Sequence, residues 1–279
     1  MLRSFARSLQ RVGRALAGEV PMNPQPMVLF KFDREREVDK WHAFTDAYFG
    51  GRSEASWALA PDQPAAEFSG RCSTEMDEGA DLARAGYCCA TSKVDAIGDY
   101  FDLECYSALV YTVSGDGNTY LANLRVDSMA GGGGDVWQAP LPTRADGAWT
   151  EVRVPLRAFV MTHKGRVVER RMEIPRTRVM SMGVSVSALA GMGPQEAGAA
   201  GVSQRPAPAA GAGGAATGGG GGSGASSSGG SAAGEESSSG SSSGGGGGGL
   251  LNSSTFRLLL REIRAEGRAG GEDDAPGKW

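Results

Sequence analysis

The chain has 279 residues, 28 Lys plus Arg against 32 Asp plus Glu and a formal net charge of −4. That near balance, with basic and acidic residues interspersed, argues against a nucleic-acid partner, and no run approaches the ~20 apolar residues of a membrane-spanning helix. Of the 50 residues from 201 to 250, 20 are Gly and most of the rest Ala and Ser, so about 160 residues, Met27 to Ser187, are left to build a core of single-domain size.

The first residues read as an address. Leu2, Phe5, Leu9, Val12 and Leu16 recur at helical spacing, and Arg3, Arg7, Arg11 and Arg14 repeat on the opposite face. No acidic residue occurs before Glu19. A basic amphipathic segment without a continuous apolar stretch predicts an organelle presequence over residues 1–22, mitochondrial because arginine outnumbers serine. Pro21, Pro24 and Pro26 end any helix there.

Short runs of period-two alternation follow, each bounded by Gly, Pro, Asp or Ser. They are Met27–Phe32, Ala55–Leu59, Ala65–Gly70, Gly86–Thr91, Val136–Ala139, Trp149–Pro155 and Val179–Val186, with a charged connector from Asp33 to Lys40 leading into Trp41–Asp46. At the centre, Leu109, Tyr111 and Val113 alternate with polar or smaller neighbours, Gly115-Asp116-Gly117-Asn118 turns the chain, and Tyr120, Ala122 and Leu124 resume the pattern. The spacing predicts a β-hairpin over Tyr106–Arg125. Helix is confined to about Leu156–Val160, so the fold class is all-β, an antiparallel sandwich or jelly roll.

The run Thr255–Arg264 fits a three-turn helix or, with Phe256, Leu258 and Leu260 at period two, a last strand returning to the sheet. In the second case the Gly/Ser/Ala tract is a disordered insertion within one loop. Lengthening a loop from about eight to about 64 residues is three doublings, costing about 2 kcal/mol of closure entropy. The expected organisation is a presequence at 1–22, a jelly-roll domain at 27–187 plus 254–265, a low-complexity insertion at 188–253 and a disordered tail at 266–279.

Chemistry-bearing patterns are sparse. Cys72, Cys88, Cys89 and Cys105 contain no Cys-x-x-Cys pair and read as free thiols; Cys88 and Cys89 should point to opposite faces of a strand. His42 and His163 stand alone, no Gly-x-Ser-x-Gly elbow is present, and Gly115-Asp116-Gly117 lacks the rest of a phosphate-binding fingerprint. No catalytic, cofactor-binding or metal-ligating residue is expected. Trp41 and Trp149 read as core, while Trp137, beside the glycine run 131–134, is the candidate partner contact, with core packing the equal alternative.

Taken in order, these short patterns resemble the complex I intermediate-associated protein family. The residues carrying the resemblance are Phe30, Phe32-Asp33, Trp41, Asp46 with Gly50-Gly51-Arg52-Ser53, Phe68-Ser69-Gly70, Gly86-Tyr87, Gly115-Asp116-Gly117 with Tyr120, Trp149 with Val154-Pro155 and Phe159, Gly183, and Phe256-Arg257-Leu258. The resemblance implies a galactose-binding-like jelly roll in which Gly50, Gly51, Ser53, Phe68, Gly70, Gly115, Asp116, Gly117, Tyr120, Trp149, Pro155, Phe159 and Phe256 are structural. It implies a chaperone-like, non-enzymatic factor of the mitochondrial matrix that binds incomplete membrane-arm intermediates of NADH:ubiquinone oxidoreductase (complex I). Other assembly factors are implied partners, and the inner membrane would be reached only through partners. The alternatives are a carbohydrate-binding jelly-roll module and a plastid relative acting in thylakoid complex biogenesis.

Overall fold

The alternating runs become strands. In the computed structural model, which describes residues 24–80, 85–94, 100–127, 135–163, 166–168, 172–188, 202–208 and 253–267, every strand pairing is antiparallel. The expected presequence, the glycine run 131–134, most of the 188–253 tract and the tail beyond 267 lie outside the described residues. One sheet runs β3 (Glu54–Leu59), β4 (Ala66–Ser73), β14 (Ser253–Glu266), β6 (Ala108–Ser114), β9 (Thr150–Pro155) and β13 (Ser203–Pro206), with β1 (Met27–Lys31) also paired to β14. The other runs β2 (Trp41–Thr45), β5 (Tyr87–Ser92), β12 (Val179–Ser187), β7 (Thr119–Val126), β8 (Asp135–Pro142), β10 (Val160–His163) and β11 (Arg166–Val167). Phe68, Tyr111, Val152 and Leu258 of the first sheet share one core with Trp41, Cys88, Tyr120, Trp137 and Val184 of the second. The architecture is an antiparallel β-sandwich of jelly-roll type. A one-turn helix α1 (Glu35–Val38) and three short 3-10 turns are the described helical segments, one turn at Leu156–Ala158 as the sequence suggests.

The expected hairpin is absent. β6 and β7 lie in different sheets: β6 pairs with β9 and β14, β7 with β8 and β12. All seven residues of β6 are buried and both its edges are taken, so β7 has no free edge to pair with. The four residues Gly115–Asn118 instead form a corner between the sheets. The Asp116 carboxylate holds it, accepting from Asn118 N (3.1 Å), Asn118 Nδ2 (3.0 Å), the Tyr120 hydroxyl (3.0 Å) and Arg257 N of β14 (2.8 Å). Burial and the neighbouring Asp116 charge both push the Tyr120 phenol up, keeping it a proton donor.

The run near Phe256 is a strand and not a helix, and it occupies the middle of its sheet. β14 pairs with β4 through Ser253–Leu260 and with β6 through Leu259–Glu266. Its inward residues are Phe256, Leu258 and Leu260, then Ile263 and Ala265. A break in register between Leu260 and Glu262 inserts Arg261 as an extra residue and so returns odd-numbered side chains to the core. Arg261 lies over the Trp149 ring at 3.9 Å. Trp149, expected in the core, is instead half-buried in a small cluster with Ala60, Ala65 and Leu259.

Beyond β9 the sheet gains an edge strand within the expected insertion. β13 pairs with β9, and Arg205 reaches back to Glu151 at 2.6 Å. Arg264 binds the same carboxylate at 2.8 Å and also Glu266 at 2.9 Å. Burial would raise the pKa of Glu151, but hydrogen bonds from Arg264 and Arg205 outweigh it and hold the carboxyl below its ordinary value.

Two outcomes follow from these contacts. Replacing Asp116 by Ala leaves the buried Tyr120 hydroxyl and the Arg257 N–H without their acceptor and is expected to cost about 2 kcal/mol in urea denaturation, with Asp116→Asn closer to wild type. Because Glu151 has a lowered folded pKa, its contribution is present above the unfolded carboxylate value and disappears as pH falls through the folded one. Glu151→Gln should therefore be destabilised at pH 7 and show a shallower loss of stability than wild type on acidification; parallel acid titrations of the two would exclude this.

Candidate functional site

The site grows from one buried carboxylate. Thr45 ends β2 and caps a 3-10 turn at Asp46–Phe49, its hydroxyl accepting from Ala47 N at 3.2 Å. Asp46, fully buried, accepts from Ser53 N (3.1 Å), Ser53 Oγ (3.0 Å), Tyr87 N (3.2 Å) and Gly86 N. Ser73 N donates to Ser53 Oγ at 3.0 Å. The carboxylate thus ties the end of β2 and the start of β5 in one sheet to the start of β3 and the end of β4 in the other. Gly50 leaves the turn with φ +91, and a β-carbon on Gly51 would collide with the Asp46 side chain; only glycine tolerates both demands.

Beside this hub the Cys72 and Cys88 sulfurs stand 3.3 Å apart across the sandwich. The contact with Cys72, reinforced by burial, pushes the Cys88 thiol up. Cys89 points the other way, as alternation predicts, and burial raises its thiol to about 12. All four cysteines are free.

The 3-10 turn buries Asp46 and turns its next aromatics outward. Tyr48 is 75% exposed and Phe49 45%. Phe44 of β2 stacks on Tyr48 at 5.0 Å and meets Phe49 edge-on at 6.0 Å, with Tyr87 of β5 at 6.1 Å. Burial and the nearby Asp46 charge raise the Tyr87 phenol to about 12. The loop alongside carries Met76, 44% exposed, and is joined to the turn by a Gly51–Met76 bridge and an Asp77 N to Gly50 O bond of 2.8 Å. Arg52 pairs with Asp77 at 2.9 Å and Glu75 at 3.5 Å. The result is an aromatic platform seated on the hydrogen-bonded turn, a surface whose exposed rings offer contact area.

The residues singled out from sequence distribute over several places. Gly50, Gly51 and Ser53 surround Asp46. Phe68 and Phe256 pack at 4.8 Å, with Tyr120 at 6.4 Å from Phe256, linking the core to the corner of Gly115, Asp116 and Gly117. Gly70 passes so close to the β3 backbone at Glu54 and Ala55 that a side chain would not fit. Pro155 and Phe159 are buried at the end of β9. For Trp137, where partner contact and core packing stood equal, the structure has the core alternative: it is 2% exposed and packed in the core cluster, in register between Leu124 of β7 and Met161 of β10. Its place beside a glycine run suggested exposure; its phase on β8, shared with Ala139 and Leu141, is the signal that decides the face. His42 is exposed on β2, and His163 lies 2.7 Å from Asp135 near the opposite edge. Among the described residues, no group of three or more His, Cys, Asp or Glu is placed to hold a metal ion. The platform residues Tyr48 and Phe49 were missed, although their position between Asp46 and Gly50-Gly51 was the available clue.

Removing the hub's acceptor leaves three backbone N–H groups in a buried site without a partner. Asp46→Ala should cost about 3 kcal/mol or more and Asp46→Asn less, measured by chemical denaturation; an Asp46→Ala protein as stable as wild type would contradict the hub.

Residues 30–202 match the family model described as Complex I intermediate-associated protein 30 (CIA30). The chain is 33% identical over 173 residues to the Drosophila melanogaster protein named "Complex I intermediate-associated protein 30, mitochondrial", covering 59% of this chain and 57% of that protein. The Mus musculus protein of the same name is 26% identical over 169 residues, covering 58% and 51%. The aligned part thus spans about half the length of these curated relatives. Among solved structures, two family 11 carbohydrate-binding modules from Clostridium thermocellum are similar in fold, at TM-scores of 0.44 and 0.47 and identities of 9% and 10%. They cover 87% and 88% of this chain and 95% of each module, and one was solved with a β-1,3-1,4-mixed-linked tetrasaccharide. With well over half its residues inside the family model, the chain belongs to the complex I intermediate-associated protein 30 family.

Proposed function

We propose that this chain is a non-enzymatic assembly factor that binds incomplete membrane-arm intermediates of mitochondrial complex I and shields their exposed surfaces until partner subunits arrive. The observation that carries this reading is the match of residues 30–202 to a family whose curated relatives are named for association with complex I intermediates and for the mitochondrion. The site geometry is consistent with it. Asp46 and Glu151, the buried carboxylates best suited to acid–base chemistry, are both committed to hydrogen bonds that hold strands together. What faces outward is a set of aromatic rings, which supply contact area and no reaction. No helix among the described residues is long and apolar enough to cross a membrane, in keeping with attachment to the inner membrane through partners from the matrix side. The basic amphipathic segment at residues 1–22 would direct import.

A native-gel complexome profile of mitochondria carrying a tagged copy tests the reading. The tag is expected to migrate with a partial complex I and its assembly factors and to be absent from the mature enzyme, and deletion of the protein should lower complex I abundance. Migration only as a free small protein, together with unchanged complex I in the deletion, would refute it.

A further inference from the structure

The aromatic platform has a charged surround. The loop packed against Gly50-Gly51 carries Glu75, Asp77 and Glu78, all exposed. Among the described residues Arg52 pairs with Glu75 and Asp77 of this loop, so one guanidinium answers two of the three carboxylates and the stretch has an acidic excess. Tyr48 and Phe49 are fixed from below by the Asp46 hub and from the side by Phe44. Exposed aromatic faces beside an acidic excess attract Lys and Arg twice, by cation–π contact and by charge, while Met76 and the ring edges accept apolar side chains. The same acidic excess repels an anionic lipid surface.

We infer that the surface formed by Phe44, Tyr48, Phe49, Met76 and Tyr87, with Glu75, Asp77 and Glu78 at its rim, docks an apolar segment bearing Lys or Arg, of the kind that flanks a membrane span on its positive side. This rests on the assembly reading above and names the chemistry of the client segment. Loops on the cytoplasmic side of membrane proteins are enriched in Lys and Arg, and the mitochondrial matrix is the topological counterpart of a bacterial cytoplasm. An unfinished membrane arm therefore presents basic juxtamembrane segments to a matrix protein. Because the rings are held before binding, little side-chain freedom is lost on docking.

The test is an array of overlapping 15-residue peptides covering the membrane subunits of complex I, probed with the full chain, with Tyr48→Ala/Phe49→Ala and with Glu75→Lys/Asp77→Lys. Peptides bound by the full chain are expected to combine Lys or Arg with neighbouring apolar residues. Their signal should fall at least tenfold with either double variant and several-fold in high salt. Bound peptides that are mainly acidic or uncharged, binding unchanged in the double variants, or no peptide bound would overturn the inference. So would binding of cardiolipin-containing vesicles that Tyr48→Ala/Phe49→Ala abolishes, since the surface would then read lipid. Both variants alter exposed side chains, and circular dichroism checks that they fold. The two readings fail separately: a chain that co-migrates with a partial complex I yet ignores basic apolar peptides sinks this inference alone. A chain that binds those peptides through Tyr48 and Phe49 but never co-migrates sinks the assembly reading and leaves the surface chemistry standing.

Discussion

A carboxylate buried between two sheets is costly unless every lone pair finds a donor, and Asp46 finds four, from Ser53, Gly86 and Tyr87. Those donors come from segments 7 to 41 residues away in sequence and from both sheets, so the cost of burying Asp46 is offset only when β2, β3, β4 and β5 are all in place. The constraint runs outward as well. Satisfying Asp46 fixes the 3-10 turn, and the turn fixes where Tyr48 and Phe49 point. Gly50-Gly51 permits this because one glycine supplies the left-handed exit and the other leaves room for the carboxylate.

Asp116 repeats the device at another corner of the sandwich. There the carboxylate ties the β6–β7 connection to β14, an element reached only after the long Gly/Ser/Ala tract. β14 supplies two neighbours' worth of pairing at the middle of its sheet and five inward side chains. Without it β6 and β4 would face each other across an open gap with their buried faces exposed. A central strand so distant in sequence from the β4 and β6 it joins gives the fold many long-range contacts, the kind of topology associated with slow folding.

Much of the strand content was legible because alternation is local: Leu109, Tyr111 and Val113, or Val152 and Val154, declare a buried face without reference to anything distant. Pairing is not local. Gly115-Asp116-Gly117-Asn118 has the composition of a hairpin turn, yet whether the chain folds back on the same sheet or steps to the other depends on whether β9 and β14 already occupy the edges of β6. The same limit explains β14, whose apolar residues change phase at Arg261; a bulge is visible only once the neighbouring register is known. β13 has no apolar signature at all, since Ser203–Pro206 is exposed and held by backbone pairing and the Arg205–Glu151 contact. Trp137 was obscured by its neighbours in sequence, while its strand phase carried the correct answer.

The site residues divide along the same physical line. Glycines, buried serines and buried aspartates are recognisable because backbone geometry and desolvation leave few residue types that work at those positions. Tyr48 and Phe49 face solvent, where no such restriction applies, and nothing in an exposed aromatic pair by itself separates a binding surface from chance. What distinguishes this pair is the packing beneath it. An exposed ring on a mobile loop must be ordered when it binds, at about 0.5–1.5 kcal/mol per side chain, whereas these rings are stacked on Phe44 and anchored through a turn whose first residue is locked by four hydrogen bonds. Asp46, fully buried and held by four hydrogen bonds, thus stands two positions before Tyr48, 75% exposed, and that adjacency couples the packing of the sandwich to the placement of its outward aromatic rings.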